Sequence, residues 1–72
     1  PKHDPSAEPT KERILAAAEG AFGAAGYDRV RLEEIASAVG IRRPSLLYHF
    51  ESKDVLYAAV VQRTFSKLAV AL

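Results

Sequence analysis

The sequence contains no cysteine, and none of its apolar runs approaches the length of a membrane span. The lack of cysteine excludes disulfide bonds, thiol chemistry and any cysteine-based zinc site within the chain, and it fits a reducing compartment. A transmembrane helix needs about 20 consecutive apolar residues, so we expect no membrane segment. With 72 residues, the chain forms one small domain at most, and its helices must pack tightly because no cross-link supports the core.

A strong excess of one charge is also missing, since the formal net charge is only +1. The charges are nevertheless unevenly distributed along the chain. Residues 29–53 carry five basic residues against three acidic ones, whereas residues 1–28 carry three basic residues against five acidic ones. The centre of the chain therefore has the local positive charge that a phosphate backbone attracts.

The first nine residues differ in pattern from the segment that follows. Residues 1–9 contain three of the four prolines and no apolar periodicity, which predicts a disordered arm. Lys2 and His3 in this arm are either solvated or contact a phosphate. Thr10 is expected to cap helix 1, and Gly26 is expected to end it. One apolar stripe along this helix is formed by Ile14, Ala18, Ala21, Phe22 and Ala25.

Residues 32–50 predict two short helices joined by a tight turn. Helix 2 is expected over residues 32–39, with Leu32, Ile35, Ala36 and Val39 on one apolar face. Gly40 then supplies the left-handed backbone that a sharp turn requires. This arrangement indicates a helix-turn-helix.

Helix 3 is expected over residues 43–50, because Pro44 fits the first turn of a helix, where its missing N–H has no acceptor to lose. Leu46 and Phe50 then face inward. At 100° per residue, the opposite side carries Pro44, Ser45 and Tyr48, with Leu47 and His49 on the two flanks. A helix with arginines at its start and hydroxyl groups on its outer face suits a DNA groove.

Helix 4 is expected to begin after Ser52, a good N-cap residue, and to run towards Leu72. Its first half should face helices 1 and 3 through Val55, Leu56, Ala59 and Val60. A second stripe of Val61, Phe65, Leu68 and Leu72 points where this chain has nothing to cover it. Such a surface usually meets a partner, so we expect the natural chain to continue into another domain.

No segment alternates with period 2, so the sequence predicts an all-α fold, a small homeodomain-like bundle of about four helices. The expected organisation is a disordered arm over 1–9, a helix-turn-helix domain over 10–60, and the C-terminal part of helix 4 over 61–72, leading to an absent domain. Gly20 and Gly23 each disfavour helix 1 by about 1 kcal/mol relative to alanine. We expect them to mark a close helix crossing.

The arginines and hydroxyl groups around helix 3 are the candidate contacts to DNA. Arg42 and Arg43 can bind a phosphate or form bidentate hydrogen bonds with guanine O6 and N7 in the major groove. The alternative is a solvated pair of arginines at a turn. Ser45 and Tyr48 suit phosphate oxygens or base edges, unless the Tyr48 ring is half-buried on a neighbouring helix. Leu47 either rests on a thymine methyl group or simply packs.

Five short motifs occur in order along the chain. They read Ala25-Gly26-Tyr27, Ile35-Ala36, Gly40-Ile41, Leu46-Leu47-Tyr48-His49-Phe50 and Ser52-Lys53-Asp54-Val55-Leu56. Through these motifs and their spacing, residues 10–60 resemble the N-terminal DNA-binding domain of the tetracycline-repressor (TetR) family of bacterial transcription regulators. The chain departs from the family pattern at four positions where family members touch DNA, Arg31, Arg42, Pro44 and Leu47, which commonly hold Thr, Ser, a small residue and Tyr.

The resemblance implies sequence-specific binding of double-stranded DNA by helix 3. The residues expected on the recognition helix and its start are Arg42, Arg43, Pro44, Ser45, Leu47, Tyr48 and His49. Those expected on the DNA backbone alone are Arg31 and Lys53. Family members use the aromatic-histidine pair mostly to hold the DNA backbone, so Tyr48 and His49 are assigned to phosphate, with a capping or core histidine as the alternative for His49.

The resemblance also implies properties of the whole protein. It implies a bacterial cytoplasmic, nucleoid-associated regulator, a repressor that is released by a small-molecule effector. The full-length protein would be a homodimer on a palindromic operator, and the effector would bind in the missing C-terminal domain. The resemblance implies no cofactor, metal or membrane.

Two other function classes remain. A small protein-interaction module would join Leu47, Tyr48 and Phe65 in one apolar patch and would bind its partner with little dependence on salt. An enzyme is not expected, because His3 and His49 lack metal-ligand spacing. A helix would also point the adjacent Glu33 and Glu34 about 100° apart, unlike a catalytic carboxylate pair.

Overall fold

The computed structural model describes the backbone of residues 7–71 and the side chains of residues 10–68. Within this range the chain forms four α-helices and a short 3-10 helix, and no residue from 7 to 71 lies in a β-strand. The prediction of an all-α bundle is therefore confirmed. The helices are α1 (Ala7–Ala25), α2 (Leu32–Val39), α3 (Arg43–His49) and α4 (Lys53–Ala71), with the 3-10 helix at Tyr27–Arg29 between α1 and α2.

The start of α1 corrects the prediction from sequence. The helix begins at Ala7 rather than after Thr10, so Pro9 lies in its first turn. A proline is tolerated there because the first backbone N–H groups of a helix have no intrahelical acceptor. The rest of the predicted arm, including Lys2 and His3, lies outside the described residues.

One core holds the four helices together. α1 packs against both α2 and α4, and α2 packs against α3. Fully burying a side chain such as leucine or isoleucine contributes about 1.5–3 kcal/mol to folding. The largest of the side chains with almost no exposed surface are Ile14, Ile35, Leu46 and Leu56, one from each helix. Around them lie Leu15 and the predicted apolar positions Ala18, Phe22, Leu32, Ala36, Val39, Phe50 and Val60.

Three expectations about packing were wrong. Ala25 and Val55 are exposed, because both lie in a terminal turn of their helix, where periodicity alone overestimates burial. Among the described residues, a Cβ atom added at Gly20 or Gly23 would meet nothing within 4 Å, so neither glycine marks a close helix crossing there. Val30, between the 3-10 helix and α2, is also buried in the core.

A group of charged side chains joins α1 to α4 on the surface. The guanidinium of Arg63 lies 3.3 Å from a carboxylate oxygen of Glu12 and also pairs with Glu19. Lys67 Nζ lies 3.8 Å from Glu19, and the Thr64 hydroxyl donates to the same carboxylate. Because the Arg63 side chain is largely covered, these pairs fix how α4 lies along α1.

Candidate nucleic-acid interface

The turn between α2 and α3 has the geometry that the sequence predicts. Gly40 adopts φ 88° and ψ 27°, in the left-handed region that only glycine enters without strain. Its N–H donates to the carbonyls of Ala36 and Ser37, and the N–H of Ile41 donates to Ala36 as well. These bonds satisfy the last carbonyls of α2 while the chain reverses. Ile41 packs against the core at this corner.

Arg13 of α1 anchors the same corner from outside the helix-turn-helix. Its guanidinium donates a hydrogen bond to the carbonyl oxygen of Val39, the last residue of α2. A cation at this place also complements the partial negative charge of a helix C-terminus. Sequence reasoning missed this role, because 26 positions separate the two residues and no local pattern links them.

The faces of α3 point as the sequence predicts. Leu46 is fully buried and Phe50, just after the helix, is 4% exposed. On the opposite side Pro44 and Ser45 are exposed, and Tyr48 is 85% exposed. An aromatic side chain that is nearly free of the protein can contact a partner along its whole length, so the alternative of a half-buried Tyr48 ring does not apply.

The two flanks of α3 are intermediate between these faces. Leu47 is half-buried and packs against the core, so its apolar side contributes to folding. His49 is also half-buried, and its ring meets the ring of Tyr48 edge to face at a centroid distance of 5.2 Å. Packing therefore accounts for part of both side chains, and part of each remains on the surface.

Arg31 and Arg42, which precede α2 and α3, do not cap these helices. Arg31 and Arg42 are exposed, each has extended backbone angles, and neither side chain bonds to the helix that follows. The capping Thr and Ser common in the TetR pattern at these positions are thus replaced by side chains that extend into solvent. Within residues 10–68, neither arginine forms an ion pair with an acidic residue.

The starts of α2, α3 and α4 meet at one shallow depression. Four of the predicted DNA-contacting residues, Arg31, Arg43, Leu47 and Lys53, line it together with Glu33 and Glu51. Glu33 was not among the predicted site residues, yet its Oε2 lies 3.6 Å from Arg43 Nε. Both side chains of this ion pair are more than half exposed. The depression thus combines three cations with two carboxylates at the edge of α3.

A cluster of aromatic rings supports the start of α4. The Tyr27 ring stacks on Phe22 at 5.8 Å and meets Tyr57 edge to face at 5.0 Å. Lys53 Nζ lies 4.4 Å from the centre of the Tyr27 ring. The Tyr27 hydroxyl donates a hydrogen bond to Asp54. This bond, with smaller effects of burial and of the nearby carboxylates of Asp54 and Asp28, raises the pKa of the Tyr27 phenol.

The helix starts differ in how they are capped. The Ser52 hydroxyl accepts a hydrogen bond from the N–H of Val55 at 3.2 Å, which confirms Ser52 as the cap of α4. α2 carries two exposed carboxylates in its first turn, Glu33 and Glu34. α3 carries none in its first turn. The first turn of α2 is therefore negatively charged, and the first turn of α3 is not.

A second exposed surface lies away from this depression. Between α1 and α4, a groove is lined by Phe22, Tyr57, Val61 and Phe65. Phe65 is 65% exposed and Leu68 is 58% exposed, as the second stripe of α4 predicts, whereas Leu72 lies outside the described residues. Tyr48 and Leu47 do not line this groove, so the single apolar patch expected of an interaction module is not formed.

Other kinds of site find no support among the residues described. Within that part of the chain, no three histidine, cysteine, aspartate or glutamate side chains are grouped closely enough to hold a metal ion. No helix in it is both long and apolar enough to cross a membrane.

The comparison with known proteins agrees with the geometry. The family model for bacterial regulatory proteins of the TetR family matches residues 14–60. The HTH-type transcriptional regulator RutR of Escherichia coli strain K12 is 43% identical over 53 residues, which cover 74% of this chain and 25% of RutR. RutR of Shigella flexneri matches to the same extent.

A second relative comes from another bacterial group. The HTH-type negative transcriptional regulator IcaR of the icaADBC biofilm operon in Staphylococcus aureus strain Newman is 40% identical over 58 residues. These residues cover 81% of this chain and 31% of IcaR, so the chain spans between a quarter and a third of the curated relatives. No solved structure matches the chain significantly.

The matched region contains α2, the turn at Gly40, α3 and the first part of α4, together with most of α1. It therefore contains every residue of the candidate interface. On the strength of this match and of the helix-turn-helix geometry, the chain belongs to the TetR family of bacterial regulatory proteins.

Proposed function

We propose that this chain is the DNA-binding part of a bacterial transcription regulator, and that α3 lies in the major groove of double-stranded DNA. The observation that carries the proposal is the two-sided character of α3. Its inner side is fixed by the buried Leu46, while Ser45 and Tyr48 point away from the protein. A helix fits the major groove of B-DNA, where base edges present a distinct pattern of donors and acceptors.

The cations around α3 divide into two roles in this proposal. Arg42 and Arg43 lie at the start of the recognition helix, where an arginine can form bidentate hydrogen bonds with guanine or bind a phosphate. Ser45, Leu47 and Pro44 contact base edges or sugars along the helix, and Tyr48 with His49 contacts the backbone. Arg31 and Lys53 lie at the starts of the flanking helices, from which they bind phosphates on either side of the groove.

The properties of the full-length protein extend the proposal beyond this chain. The relatives are three to four times longer than the region they share with it. We propose that the full-length protein is a homodimer, represses transcription from a palindromic operator in the bacterial cytoplasm, and is released by a small molecule bound outside this domain. Two recognition helices then need half-sites about 34–36 Å apart, one turn of DNA.

A selection of duplexes from a random pool, using the full-length protein, tests the proposal. We expect enrichment of a two-fold symmetric sequence whose half-sites are about one helical turn apart. Binding of the selected duplex should weaken steeply with salt, because each cation on a phosphate releases counterions. No enrichment, or an affinity that hardly changes with salt, would contradict DNA recognition and favour a protein-interaction module.

Two exposed aromatic residues provide a matched pair for the same assay. Tyr48→Ala should weaken binding of the selected duplex by about tenfold or more, because it removes a large contact from the outer face of α3. Phe65→Ala should leave the duplex affinity within about twofold, because Phe65 lines the groove between α1 and α4. The reverse ranking would place the DNA at the groove between α1 and α4 and would contradict the proposal.

A further inference from the structure

Lys53 is held in place by an aromatic ring rather than by a carboxylate. Its Nζ lies 4.4 Å from the centre of the Tyr27 ring. Within residues 10–68, no acidic side chain forms an ion pair with Lys53, although Asp54 follows it directly in the chain. The ammonium group is attracted to the negative face of the ring and keeps N–H donors for another acceptor.

The ring that holds Lys53 is itself fixed. Tyr27 follows the end of α1, where it stacks on Phe22 and meets the edge of Tyr57. Its hydroxyl donates to Asp54, which keeps that carboxylate engaged next to the lysine. The Tyr27 ring is therefore held by α1 on one side and by α4 on the other.

From this arrangement we infer that Tyr27 is a positioning residue for DNA binding, because its ring holds the Lys53 ammonium ready for a phosphate. The inference rests on the proposed function, in which Lys53 contacts the DNA backbone. A free lysine side chain has many rotamers, and ordering it on binding weakens the interaction. A lysine that already rests on a ring loses less freedom when the phosphate arrives.

The role of Tyr27 differs from a general contribution to folding. If the ring were only structural, removing it would lower stability and would weaken DNA binding whether or not residue 53 is a lysine. A positioning ring affects DNA binding only through Lys53. The two roles are separated by measuring the effect of a Tyr27 substitution with and without Lys53, in a double-mutant cycle.

The test measures binding of the full-length protein to a labelled random-sequence duplex at low salt, by fluorescence anisotropy. Tyr27→Leu should weaken binding about two- to fivefold, the range expected for one partly exposed cation–π contact. In a Lys53→Ala background, Tyr27→Leu should have no further effect. Tyr27→Phe keeps the ring and should bind within about twofold of the wild type.

Tyr57→Leu is the matched control, because Tyr57 belongs to the same ring cluster but does not lie under Lys53. It should weaken duplex binding less than Tyr27→Leu does, because the ring under Lys53 remains, and thermal unfolding of each variant shows whether it is folded at the assay temperature. An equal loss in both backgrounds, equal losses from Tyr27→Leu and Tyr57→Leu, or tighter binding by Tyr27→Leu would overturn the inference.

The outcomes also separate this inference from the proposed function. If the wild-type protein binds no duplex at low salt, the proposed function fails. If the wild type binds and Lys53→Ala binds equally well, Lys53 makes no phosphate contact, and only the role of Tyr27 is refuted. If Lys53→Ala weakens binding but its effect is additive with that of Tyr27→Leu, the DNA contact stands and the positioning role is refuted.

Discussion

Arg43 at the start of α3 forms an ion pair with Glu33 of α2, with Nε and Oε2 3.6 Å apart. The pair is exposed, and such surface pairs contribute little to stability, typically about 0–1 kcal/mol. In the proposed complex its consequence is larger, because a base or phosphate that binds Arg43 would compete with a carboxylate already beside it. Under that proposal, Glu33 restrains Arg43 and opposes the approach of phosphate.

Neutralising this carboxylate should strengthen DNA binding in general. We expect Glu33→Gln to tighten binding to a random-sequence duplex at low salt by about three- to tenfold, because a repulsive charge is removed and Arg43 is released. The preference for the selected sequence over random duplexes should fall. Electrophoretic titration of both duplexes measures the two effects.

Glu34→Gln provides the control for charge alone. Glu34 lies in the same turn of α2 and is equally part of the exposed surface, but it forms no ion pair with Arg43. It should tighten binding less than Glu33→Gln and should keep the sequence preference. Equal effects of the two substitutions would show that only net charge affects DNA binding.

Removing the anchor of the turn should loosen the helix-turn-helix. Arg13→Ala deletes the hydrogen bond to the Val39 carbonyl, and we expect the free energy of unfolding to fall by about 1 kcal/mol. Amide exchange at the end of α2 should accelerate more than exchange in α4. Arg29→Ala, at an exposed site in the 3-10 helix, should change neither quantity; matching losses in the two variants would refute the anchor.

Two glycines of α1 occupy positions where alanine should stabilise the domain. Because a Cβ atom at Gly20 or Gly23 would meet nothing within 4 Å, alanine at either position should stabilise the domain by about 0.5–1 kcal/mol through helix propensity. Gly40→Ala should destabilise it, since φ is +88° there. Denaturant unfolding measures all three. A loss of stability in Gly20→Ala would indicate a neighbour that this geometry does not contain.

The hydrogen bond between Tyr27 and Asp54 makes the alkaline stability of the domain pH-dependent. Because the pKa of the Tyr27 phenol is raised in the folded protein, the folded state holds this proton more tightly than the unfolded chain does. The stabilising contribution is complete below the unfolded pKa of about 10 and is lost as pH rises through the higher folded value. Ultraviolet titration of phenolate should show one of the three tyrosines ionising late.

Substitution of either partner checks that assignment. Tyr27→Phe should remove the late step, and Asp54→Asn should move it to lower pH, because the hydrogen bond to a carboxylate is the largest cause of the shift. A late step that persists unchanged in Asp54→Asn would show that another interaction holds the proton.

The parts of this domain that local patterns specify were predictable from the sequence. The bounds of α2 follow from its apolar face and from Gly40, and the outward side of α3 follows from the 100° step between Leu46 and Tyr48. The start of α1 lies earlier than the composition of residues 1–9 predicts, because a proline fits the first turn of a helix.

The long-range contacts that support the interface could not be predicted from local patterns. The bond from Arg13 to Val39 and the bond from Tyr27 to Asp54 join residues 26 and 27 positions apart. Periodicity reports which side of one helix is apolar, and it says nothing about which charged side chain of another helix comes near. Only the packed arrangement of the helices reveals them.

A panel of single-base variants of the selected duplex shows whether α3 reads base edges in the major groove. Affinities are measured for the full-length wild type, Arg43→Ala and Lys53→Ala. We expect the wild type to lose about 1–3 kcal/mol at the position that Arg43 reads, and Arg43→Ala to lose that discrimination. Lys53→Ala should weaken all duplexes alike. A wild type that binds every variant equally would contradict base recognition by α3.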